Sequence, residues 1–218
     1  MVNSYVVIDI ELLPLFSTAF IFFSKILCSV EVSFRGRLDF SKSLCHFTSI
    51  MAPELTKKIC MLGPYSVGKT SLVKQFVHGI FSEKYLVTIG VKIDKKELVI
   101  QDQKLKLMLW DIAGEEDEFS IPLSYLKGSD GCILVMDGTR PETIDQAIDI
   151  EARARQVIGD IPLVRVINKS DLTEQWQITP DDMDQLETQG PVVRSSARLG
   201  TGVEELFFTL SRQMLNRL

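Results

Sequence analysis

The sequence predicts an α/β fold: a mostly parallel sheet with one antiparallel edge strand and helices on both faces. Three observations lead there. From residue 57 onwards, short apolar runs alternate with segments of helical spacing, and strands separated by helices build parallel sheets covered on both sides. Two runs that alternate apolar and polar residues, 89–100 and 104–114, are joined by a short polar turn, the pattern of a hairpin. Gly63 and Gly68 bracket a tight loop between the first strand and the first helix, and ligands of such sheets sit at the carboxyl ends of the strands.

The elements follow in order. "KKICMLG" (57–63) is a short apolar run ending in Gly, read as a buried strand. "SLVKQFVHGI" (71–80) has helical spacing, with Leu72, Phe76 and Ile80 on one face, flanked by Val73 and Val77. The hairpin strands are "IGVKIDKKELVI" and "KLKLMLWDIAG", with "QDQK" between them. Then come the strand "GCILVMDG" (131–138), the helix "TIDQAIDIEARARQVIG" (143–159) and the strand "PLVRVINKSD" (162–171). A helix starts near Thr179, where Pro180 takes the first helical position. "PVVRSSA" (191–197) is the last strand, and "VEELFFTLSRQML" an amphipathic helix with Val203, Leu206, Phe207, Leu210 and Met214 inward.

Composition narrows the function. The 218 residues carry a net charge of −5, so no global basic field favours nucleic acid. Cys28, Cys45, Cys60 and Cys132 are scattered without metal-ligand spacing, as free thiols of a reducing cytosol would be. His46 and His78 are isolated and lack an orienting partner, so neither reads as a ligand or base.

Residues 1–50 differ from the rest. They are rich in Phe, Leu and Ile, and their acids and bases balance, leaving 51–218 with the whole negative excess. The uncharged stretch from Leu12 to Ser24 is too short to span a bilayer, and the stretch to Val30 is borderline and contains Lys25. Asp9 and Glu11 near the start argue against a secretory signal. The favoured reading is an over-extended reading frame or dispensable tail, with Met51 as start. The other is a membrane anchor held on its cytosolic side by Lys25, Arg35, Arg37 and Lys42.

Four motifs carry chemistry. "GPYSVGKT" (63–70) reads G-x-x-x-x-G-K-[ST]. Its amides can cradle phosphate oxygens at the positive end of a helix. Lys69 reaches the β- and γ-phosphates, and Thr70 offers a hydroxyl to Mg²⁺. "WDIAGEE" (110–116) follows the hairpin, placing Asp111 to hold Mg²⁺ through a water and Gly114 to bring an N–H to the γ-phosphate. "NKSD" (168–171) closes a strand. A carboxylate at Asp171 accepts two hydrogen bonds from N1–H and the N2 amine of guanine, a pair that adenine cannot make. Asn168 ties the loops together, and the Lys169 stem lies across the base. In "SSARLG" (195–200), the Ala197 N–H faces guanine O6, with Ser196 and Arg198 beside it.

In this order and spacing, the motifs make residues 51–218 resemble a small GTPase of the Ras superfamily. "FSEKYLVTIGVKI" (81–93) and "WDIAGEE" are most similar to the Rab branch, including Rab-like proteins of bacteria. The resemblance implies the P-loop GTPase fold, with a six-stranded sheet, one antiparallel strand and five helices. It implies Mg²⁺ held by Thr70, Thr88 and Asp111, and a GTP/GDP cycle. The nucleotide would lie on Gly63, Pro64, Tyr65, Ser66, Val67, Gly68, Lys69, Thr70 and Ser71, with Phe81 at the guanine side and Tyr85 over the phosphates. Glu115, Lys69 and Thr88 would serve catalysis. Effectors or regulators would read 80–92 and 115–128 as the γ-phosphate orders them.

Three departures from the family pattern stand out. Tyr65 occupies a place where small residues are usual, and its ring would crowd the path of a partner's arginine. Glu115 stands where Gln usually orients the attacking water. "RQMLNRL" has no Cys for a prenyl group, and neither Met1 nor Met51 precedes a myristoylatable Gly, so no lipid anchor is expected. Three functions follow: a GTP-hydrolysing switch, a GTP-binding interaction module disabled by Tyr65 and Glu115, and an ATP-dependent kinase or ATPase. Arg140, Arg153 and Arg155 read as surface charges.

Overall fold

The structure, a computed structural model, describes residues 54–82, 87–114 and 123–217. The reading of residues 1–50 therefore lies outside the described residues. The strands are β1 (Leu55–Leu62), β2 (Val91–Ile100), β3 (Gln103–Ile112), β4 (Gly131–Asp137), β5 (Leu163–Asn168) and β6 (Val192–Arg194). The helices are α1 (Lys69–His78), α2 (Glu142–Ile158), α3 (Pro180–Glu187) and α4 (Val203–Leu215). The resemblance implies five helices. Four are among the described residues, and 115–122 lies outside them.

The six strands form one sheet in the order β2-β3-β1-β4-β5-β6. Every neighbouring pair is parallel except β2–β3, the expected hairpin. Its two turn residues, Gln101 (φ 51°) and Asp102 (φ 61°), are both left-handed, the twist that a two-residue hairpin loop needs. The chain goes from β1 to one side of the sheet and later returns to β1's other flank as β4. The carboxyl end of β1 is thus a topological switch point, where a ligand crevice opens.

Strand alternation sorts the core into two layers. Ile59, Met61, Ile133, Val135, Val164 and Val166 pack beneath α1 and α4, where Phe76 stacks on Phe207 at 3.9 Å between ring centroids. Cys60, Leu62, Cys132, Leu134 and Ile167 face the other way, with Ala147, Ile150, Ala154 and Leu186 of α2 and α3. The five residues expected inward on α4 are all buried. Arg165 of β5 is buried too, paired with Glu151 of α2 at 2.6 Å.

Local signals explain the helix ends. Pro180 opens α3, and Thr179 and Asp182 form a capping box. Gly79, at φ 65°, ends α1. That stop corrects one expectation: Ile80 falls past the helix and is 57% exposed, while Leu72, Val73 and Phe76 are buried.

Candidate functional site

A cavity of about 390 Å³ opens at the carboxyl ends of β1, β3 and β5. All four motifs meet there. Its lining includes Tyr65, Ser66, Gly68, Lys69, Thr70 and Ser71 from the first loop, and Gly114 from the second. Asn168, Lys169, Asp171, Ala197 and Arg198 line the opposite end. Gly63, Pro64 and Val67 do not line it: they form the loop's buried base. Lys69 is itself buried and donates to the carbonyls of Gly63 and Pro64, each at 2.8 Å. Its ammonium therefore sits inside the curl of the loop.

Two glycines are dictated by close approach. A Cβ on Gly63 would come within 2.3 Å of the Val135 carbonyl oxygen, and one on Gly68 within 2.3 Å of Asn168 Nδ2. Both also hold positive φ, 138° and 102°, which glycine alone adopts at little cost. Gly114 packs just as tightly on the loop, where a Cβ would come within 2.5 Å of Tyr65 Cα.

Beside Lys69, three oxygen-bearing side chains converge. The Thr70 hydroxyl donates to Asp111 Oδ2 at 2.6 Å and lies 2.7 Å from the Thr88 hydroxyl. Thr88 Oγ1 is 3.5 Å from the same carboxylate oxygen. Asp111 Oδ1 is buried and has no hydrogen-bond partner. Burial above all pushes the Asp111 carboxyl up from its ordinary value, against the pull of the Thr70 hydroxyl and the Lys69 charge. A buried carboxylate with an orphaned oxygen is costly. Beside two hydroxyls it makes a hard-oxygen donor set of the kind that suits Mg²⁺.

At the other end, Asn168 joins three segments. Its Nδ2 donates to the Val67 carbonyl at 3.0 Å, while its Oδ1 accepts from the Ala197 N–H at 3.1 Å and the Ser195 hydroxyl at 3.3 Å. Asp171 Oδ1 accepts from the Ser196 hydroxyl at 2.6 Å. Ser196 is fully buried and orients Asp171 instead of lining the cavity. Lys169 holds φ 67°, and its ammonium pairs with the buried Asp137 at 2.6 Å. Phe81 lines the cavity and is 38% exposed. Tyr85 and Glu115 lie outside the described residues.

Arg140 is where sequence reading fell short. Instead of a plain surface charge, it donates to the Tyr65 carbonyl at 2.9 Å and to Asp137 at 3.0 Å. Burial raises the Asp137 carboxyl, but Lys169 and Thr139 outweigh it, and the net shift is downward. The one hint in the sequence is the Asp-x-x-Arg spacing of Asp137 and Arg140.

This fold and these gathered loops define a phosphate-loop nucleotide-binding protein. Residues 58–216 match the Ras family, and the chain belongs to that family of small GTP-binding proteins, on its Rab-like branch. It is 32% identical to the Ras-related protein Rab-4 of Dictyostelium discoideum over 164 residues, covering 74% of this chain and 80% of that protein. To human Ras-related protein Rab-7b it is 34% identical over 167 residues, covering 73% and 83%. To Ras-related protein Rab7 of Drosophila melanogaster it is 34% identical over 173 residues, covering 72% and 80%.

Proposed function

We propose that the chain binds GTP and GDP together with Mg²⁺, hydrolyses GTP to GDP and works as a molecular switch. The observation that carries this reading is the trio of Thr70, Thr88 and Asp111, with the orphaned Asp111 oxygen, beside the buried Lys69. Among the described residues no three His, Cys, Asp or Glu side chains gather into a cage, so phosphate oxygens would complete the ion's shell. Mg²⁺, when bound, neutralises charge on the β- and γ-oxygens. Lys69 meets the same oxygens, and the loop amides fix them. Asp171, steadied by Ser196, selects guanine. Thr88 belongs to both the ion site and the 80–92 segment, in which Ile80, Val87 and Ile89 are exposed, and this supports a switch that responds to the γ-phosphate.

The partner surface would be that same segment together with 115–128, of which 115–122 lies outside the described residues. Ile80, Val87 and Ile89 within 80–92 are exposed, Ile89 to 91%, as is Ile93 just beyond it, and regulators or effectors would cover them. The chain would work in the cytoplasm. Among the described residues no helix is long and apolar enough to cross a membrane.

Glu115 would orient the attacking water by accepting a hydrogen bond. Its charge would repel the γ-phosphate, so intrinsic turnover would be slow. Single-turnover hydrolysis of bound GTP, with Mg²⁺ and no partner, tests the reading. Slow conversion to GDP, altered by Glu115→Gln, supports a hydrolysing switch. GTP that persists for hours in both forms favours the binding-module alternative.

A further inference from the structure

Arg140 stands outside every motif, yet it joins the two ends of the cavity. Nε donates to Asp137 Oδ2 at 3.0 Å, and Nη2 donates to the Tyr65 carbonyl at 2.9 Å. Asp137 is fully buried. Its Oδ1 accepts from the Thr139 N–H at 3.0 Å and the Thr139 hydroxyl at 2.7 Å, and its Oδ2 also receives Lys169 at 2.6 Å. The carboxylate is therefore immobile, and it fixes one edge of a rigid planar fork. The other edge then meets the phosphate loop at a set place.

That place matters because of the next residue. The Tyr65–Ser66 peptide is trans, so its carbonyl and its N–H point in opposite directions. Ser66 holds φ 62°, a left-handed conformation that a serine adopts only under constraint. Tyr65 is fixed from two sides. A Cβ on Gly114 would lie 2.5 Å from Tyr65 Cα, and Arg140 holds the carbonyl. Ser66 lines the cavity, whereas Arg140 does not. Turning the Tyr65 oxygen out to Arg140 thus turns the Ser66 N–H in.

The geometry points to Arg140 as a positioning residue for phosphate: by holding the Tyr65 carbonyl, it aims the Ser66 amide at the nucleotide's phosphates. This also accounts for how a loop carrying tyrosine at position 65 keeps a phosphate-binding shape. The inference rests on the nucleotide reading above.

Competition against a fluorescent GDP measures GDP and guanosine affinities for the full chain and for Arg140→Ala. The expected result is GDP affinity lowered on the order of tenfold, the worth of a hydrogen bond to a charged donor, with guanosine affinity little changed. Arg140→Lys keeps the charge and one donor, and its loss on GDP should be smaller. It carries the test alone if the alanine variant does not fold. An equal loss on both ligands would mean that Arg140 acts through Asp137 and Lys169 at the base, and it overturns the inference. So does unchanged GDP affinity. A wild-type chain that binds neither ligand sinks the nucleotide reading itself, and this inference with it.

Discussion

The Asn168 side-chain amide donates to the Val67 backbone carbonyl at 3.0 Å, across 101 residues of chain. Its oxygen holds the Ala197 amide at 3.1 Å. One side chain thus fastens the 63–70 loop to the loops at 168–171 and 195–200. Asn168→Ala strands a buried carbonyl and a buried N–H, and each such orphan costs about 1–3 kcal/mol. The expected loss is about 2–4 kcal/mol in urea denaturation, together with weaker GDP binding. A loss well under 1 kcal/mol would show that the loops are held by something else.

Gly68→Ala adds a methyl 2.3 Å from Asn168 Nδ2, at φ 102°. Steric and backbone costs together predict about 2–4 kcal/mol. Only the steric share depends on Asn168. In an Asn168→Ala background, the cost of Gly68→Ala should therefore fall by about 1 kcal/mol. A double-mutant cycle in urea measures this coupling, and strict additivity would refute the contact.

Asp111 makes stability depend on pH. Its carboxyl is raised, chiefly by burial, so the native chain holds a proton that the unfolded chain has released. Between the unfolded value, about 3.9, and the raised native value, stability falls as pH rises. Asp111→Asn removes that slope. Without Mg²⁺ or nucleotide, the variant should melt higher than wild type at neutral pH. With GDP and Mg²⁺ the order should reverse, because the amide offers the ion no charge. Thermal melts across about pH 4–8, with and without ligand, check both signs.

Asp171 should set base preference. Inosine 5′-diphosphate lacks the N2 amine, so wild type should bind GDP the more tightly of the two. Asp171→Ala removes both acceptor oxygens, and the two affinities should converge. Ser196→Ala, which frees Asp171 Oδ1 from its 2.6 Å hydrogen bond, should weaken the preference less. Competition binding with the two diphosphates decides, and an undiminished preference in Asp171→Ala would move base selection elsewhere.

Phe207 should carry a large share of the core. It is fully buried and stacked on Phe76. Phe207→Ala should cost about 3–5 kcal/mol, read in denaturation of the nucleotide-free chain.

Much of this was legible in the sequence because it is local. Periodicity marks α4 and the hairpin strands within their own lengths. The Thr179–Pro180–Asp182 cap is written in neighbouring residues. The four motifs are short strings, and the order in which they occur identifies the family. The end of α1 was misread although Gly79 marks it, because Ile80 continues the apolar spacing and only the left-handed backbone breaks it.

By itself, then, the sequence determined the element order, a loop that could hold phosphate and the residue types that could hold an ion and a guanine. Only the tertiary structure decided which of them meet. Thr70, Thr88 and Asp111 come from three separate segments, and the sheet order puts them within 3.5 Å of one another. Asn168 reaches Val67, and Arg140 reaches Tyr65, because β1, β4 and β5 lie side by side. Such contacts depend on which strands become neighbours, and strand pairing is settled by burying both faces of the whole sheet. No window of neighbouring residues carries that information.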